Sequence, residues 1–109
     1  MTLDEFKSLC QQDECPAGIN RLLEALWYDA RGDWDAAHQI VQNISGIDSS
    51  WIHAYLHRKE GDLANASYWY RQAGRRKPDN PLRTEWERIV STLLPKEDRK
   101  KQQGTGTAV

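Results

Sequence analysis

The chain has 109 residues, 28% of them charged and 39% hydrophobic, with a formal net charge of −1. That is the size of one domain with a modest core, and no run approaches the ~20 apolar residues of a membrane-spanning helix. The opening Met1-Thr2-Leu3-Asp4-Glu5-Phe6-Lys7 is acidic where a secretory leader is basic and leads into no apolar stretch, so a cytoplasmic location is expected.

A first helix should begin after Thr2, whose hydroxyl can cap while Glu5 returns the bond. Leu3, Phe6, Leu9 and Cys10 then share one face. Cys10 and Cys15 read as one packed and one loop thiol, since two cysteines at this spacing make neither a disulfide framework nor a zinc pattern. Pro16 suits the first turn of a second helix, with Ile19, Leu22, Leu23, Leu26 and Trp27 inward and Gly32 as its stop. Asp33 caps a third helix bearing Trp34, Ala37, Ile40, Val41 and Ile44, ended by Gly46. Ser49 or Ser50 starts a fourth, with Trp51, Ala54, Tyr55 and the pair His53/His57, closed by Gly61. Asp62 caps a fifth with Leu63, Ala66, Trp69, Tyr70 and Ala73 on one side. After Lys77-Pro78-Asp79-Asn80-Pro81, a sixth holds Leu82, Trp86, Ile89, Val90 and Leu93, and Pro95 stops it. Residues 96–109 have almost nothing apolar to bury and read as a disordered polar tail. The expected fold is therefore all-α: about six helices over residues 1–95, in antiparallel hairpins.

Gly32-Asp33-Trp34-Asp35-Ala36-Ala37 returns as Gly61-Asp62-Leu63-Ala64-Asn65-Ala66, each copy between two helical stretches. The distance from turn to turn is 29 residues. Residues 51–80 resemble one tetratricopeptide repeat: Ala54 within the first helix, Gly61-Asp62 at the turn, Ala66, Tyr70 and Ala73 along the second, and Pro78-Asp79-Asn80 at the exit. Ala25, Gly32-Asp33 and Ala37 repeat part of that pattern, while Val41 and Ile44 replace its aromatic and small residues. The family period is about 34, so the shorter spacing implies a compact, irregular stack. Sel1-type repeats are a second, poorer relative. The chain also resembles small, uncharacterised bacterial helical proteins.

The resemblance implies a groove lined by the first helix of each hairpin: Trp51, Tyr55, Arg58 and Lys59 from one, Leu22, Leu26 and Asp29 from the other. Aromatic rings beside a basic pair suit a peptide or protein partner of acidic character. The alternative is that these rings are core. The carboxylate-clamp pattern of the family is not reproduced. The function expected is thus a non-enzymatic protein- or peptide-interaction module with no cofactor. No phosphate loop, nucleophile elbow or other catalytic constellation is present to suggest an enzyme.

The runner-up is a small metal- or ligand-binding protein, conceivably enzymatic, using His53, Tyr55 and His57. His53 and His57 stand four apart on one face, with His38 on another helix. Residues 1–70 hold five Lys/Arg against eleven Asp/Glu, and residues 71–109 ten against five. Arg71–Lys77 reads as a solvated helix end rather than a nucleic-acid surface. Indoles exposed at an open end of the stack would favour a homodimer.

Overall fold

The computed structural model describes residues 1–94. The expected stop at Pro95 and the polar tail lie outside the described residues. Six helices and no strand are found among those described: α1 Leu3–Leu9, α2 Arg21–Ala30, α3 Trp34–Gln42, α4 Ile47–Glu60, α5 Leu63–Gln72 and α6 Leu82–Leu93.

The repeated Gly-Asp closes one helix and opens the next. Gly32 and Gly61 take φ +84° and +89°, the left-handed conformation that only glycine adopts cheaply. The following aspartate then donates its backbone N–H to the helix behind it: Asp33 to the carbonyl of Tyr28 and Asp62 to that of His57, both at 2.9 Å. Its carboxylate accepts from the helix ahead, Asp33 from the amide of Ala36 at 3.1 Å and Asp62 from that of Asn65 at 3.2 Å. Two residues thus satisfy backbone groups on both sides of a reversal. Gly74 repeats the closure, with Arg75 donating to the carbonyl of Tyr70. No capping residue follows it, and the chain runs through residues 75–81 before α6.

Two starts differ from the sequence reading. Pro16 lies in a loop and Asn20 caps α2, accepting from the amide of Leu22 at 2.8 Å; Gly18 at φ +81° interrupts any helix begun at Pro16. α4 begins at Ile47 behind Gly46, so Ser50 is no cap and neither is Ser49. Its buried hydroxyl donates instead to the carbonyl of Val41 at 2.9 Å, tying α4 to α3. The capping box of Thr2 and Glu5 is formed as expected.

α2 pairs with α3 and α4 with α5; α6 lies across α2 and α4, and α1 packs on α6. α4 is the axis of the molecule, touching α2, α3, α5 and α6. Every residue from Trp51 to His57 is buried, as a helix surrounded on all sides requires. Ala25, Ala37, Ala54 and Ala66 are fully buried and seat the rods close together. Indole N–H groups cross between helices: Trp27 donates to the carbonyl of Leu9, Trp34 to that of Leu56 and Trp86 to that of Leu26.

Candidate functional site

α4 presents two chemically different faces. One looks toward α2 and α6, where two buried carboxylates wait: Asp29 on α2 at 2% exposure and Glu85 on α6 at 1%. The four residues singled out as partner-binding divide between them. The Tyr55 hydroxyl and the Lys59 ammonium each donate to Asp29 at 2.9 Å. The Trp51 indole and the Tyr70 hydroxyl donate to Glu85 Oε2 at 3.1 and 2.6 Å, and Arg58 pairs with Oε1 at 2.6 Å. Arg58 also donates to the backbone carbonyl of Asn80, and Arg75 covers the Trp51 ring with its guanidinium 3.4 Å from the centroid. Burial, then the neighbouring carboxylates, push the Tyr55 and Tyr70 phenols up. Both remain donors at neutral pH.

Trp51 and Tyr55 are therefore interior rings, at 4% and 3% exposure, because α6 and α1 lie over the face that an open repeat array would leave concave. What remains of that face is a cleft of about 420 Å³ between the end of α1, α2, α4 and α6. Lys7, Asp29, Tyr55, Lys59, Trp86 and Glu87 contribute to its walls. At its rim Glu87 pairs with Lys7 at 2.6 Å and with Arg83 at 3.6 Å. Trp51 borders a separate depression of about 310 Å³ with Arg75, Arg76, Glu85 and Arg88.

The opposite face of α4, toward α3 and α5, carries the histidines. His53 and His57 lie one turn apart, and His38 on α3 meets them, its Nε2 3.0 Å from that of His53. The ring centroids of His38, His53 and His57 are 4.7–5.3 Å from one another. Two indoles flank the group, Trp34 stacked on His38 at 4.8 Å and Trp69 on His53 at 4.0 Å. His57 Nδ1 is 2.8 Å from Glu60 Oε2. Burial lowers the pKa of His38, and burial with the adjoining imidazoles lowers that of His53 to about 4.

The runner-up set of His53, Tyr55 and His57 is thereby split. Residue 55 sits about 200° around the helix from residue 53, so its hydroxyl reaches Asp29 rather than the imidazoles. His38 takes the third place. Sequence reading placed it on a separate helix and gave no reason to bring it in; the short reversal through Gly46, with Ser49 tied to Val41, sets α3 beside α4. Glu85 was missed altogether, since position 85 in an amphipathic pattern reads as a solvated residue. Asp29 had been assigned to the groove side. Cys10 is buried, its thiol pushed up to about 11 by that burial, and Cys15 lies in the loop after α1. No helix among the described residues is long and apolar enough to cross a membrane.

Comparison of the chain with protein-family models, with curated proteins and with solved structures returns no match.

Proposed function

We propose that the chain is a non-enzymatic interaction module of the tetratricopeptide-like class, which holds a segment of a protein partner in the cleft between α1, α2, α4 and α6. The observation that carries this reading is the cleft itself, floored by Tyr55 and Lys59 on the first helix of the second hairpin and walled by Asp29 of the first. These are groove positions of a tetratricopeptide array. The rim pairs of Glu87 with Lys7 and Arg83 are partly exposed, and such pairs contribute only about 0–1 kcal/mol. A carboxylate on the partner can replace Glu87 on those cations at little cost, which favours a segment of acidic character. Trp51 and Arg58 serve this function from within, by holding α6 against α4 through Glu85.

Site-specific photocrosslinking tests the reading in the cell of origin. A photoreactive side chain at Gln11, an exposed residue of the cleft wall, should yield a discrete protein adduct, and the same group at Ser67 on α5 should not. The charge reversal Glu87→Lys should keep that adduct and Lys7→Glu should weaken it. Equal capture from positions 11 and 67 would contradict the cleft as the docking site.

A further inference from the structure

We propose that His38, His53 and His57 form a three-imidazole site for one divalent transition-metal ion of the zinc class, on the face of α4 turned away from the cleft. One ring nitrogen from each lies within 4.8 Å of those of the other two. Tetrahedral zinc holds its nitrogen ligands about 2.0–2.1 Å away, which sets ligand nitrogens about 3.3 Å from each other. The 3.0 Å between Nε2 of His38 and Nε2 of His53 is already close to that spacing, and the third nitrogen, within 4.8 Å of both, has at most about 1.5 Å to close.

Three features favour a metal over simple packing. The rings come from two helices and meet in one cluster, where a single N–H···N bond joins His38 to His53; apolar side chains would fill the same space without the cost of burying imidazoles. Stacking against Trp34 and Trp69 fixes two ring planes, the pre-organisation that ligands need to bind without losing freedom. Finally, Glu60 accepts from His57 Nδ1 at 2.8 Å, leaving Nε2 as the donor to the ion. A carboxylate behind a metal-bound imidazole is the usual outer partner, and it raises ligand basicity. Three protein nitrogens leave the fourth position of a tetrahedral ion for water or a ligand. The site shares no side chain with the cleft and does not depend on the reading of the cleft as a docking site.

The test uses the full chain without an affinity tag. It is stripped with chelator and titrated with Zn²⁺ against a chromophoric competitor, then with Co²⁺ for its visible spectrum. One ion should bind per chain, and Co²⁺ should show the intense bands of four-coordination. His38→Asn should weaken Zn²⁺ at least 100-fold, and Glu60→Gln about 10–100-fold. Should a variant fail to fold, ¹⁵N spectra of the unmodified protein decide: Zn²⁺ must shift ring nitrogens of all three histidines. Shifts confined to two rings, octahedral Co²⁺ bands, or affinity indifferent to His38→Asn would overturn the proposal.

Discussion

At the scale of the residue, the buried carboxylates Asp29 and Glu85 are each paired with side chains from α4. Arg58 faces Glu85, which is 1% exposed. Removing one partner of a buried pair strands the other charge and costs about 3–5 kcal/mol. Arg58→Ala should therefore lower stability by that amount in urea unfolding. The double variant Arg58→Ala/Glu85→Leu should recover only part of it, because the Tyr70 hydroxyl and the Trp51 indole lose their acceptor. A change under 1 kcal/mol in the single variant would mean the pair is solvated. His53 supplies a pH dependence in the metal-free protein. Its folded pKa of about 4 lies below the ordinary 6.5, so the unfolded chain binds the extra proton between those values. Stability should fall as pH drops from about 6.5 to about 4 and show no further contribution from His53 below that. Chemical denaturation at pH 7, 6 and 5 gives the sign, and His53→Asn should flatten the slope.

At the scale of the element, Gly-Asp is the unit that makes a hairpin. Gly61 sits at φ +89° with open space where a Cβ would go. The cost of Gly61→Ala is then backbone strain alone, about 1–2 kcal/mol. Gly61→Asn should cost less, since asparagine tolerates the left-handed region better, and thermal unfolding of both variants checks the order. This level was the most legible in the sequence. Capping and reversal are local chemistry, so Thr2/Glu5, Asp33 and Asp62 could be placed from neighbouring residues alone. Pro16 and Ser49 were misread for the same reason: each fits a helix start locally, but Gly18 and the carbonyl of Val41 decide otherwise. The partners of α4 were less legible still. Trp51, Tyr55, Arg58 and Lys59 stand out by type and spacing. That they face two buried carboxylates depends on how α2 and α6 each pack on α4, and no periodicity encodes that packing. His38 joins His53 and His57 by the same kind of long-range placement.

At the scale of the whole molecule, α4 is an axis with unlike chemistry on its two sides. Toward α2 and α6 it meets Asp29 and Glu85 and floors a cleft; toward α3 and α5 it meets His38 and Trp69. Two unlike faces coexist on one rod because Trp51, Tyr55 and Lys59, spaced by four, share one side, while His53 and His57, offset by two residues or about 200°, share the other. α1 is the element least tied to that axis, resting mainly on α6. Native-state hydrogen exchange of the full chain measures this arrangement directly. The amides from Trp51 to His57 should exchange last, near the rate set by global unfolding, and those of α1 well before them. If α4 exchanges as readily as α1, it is not the enclosed axis, and its two faces lose their common support.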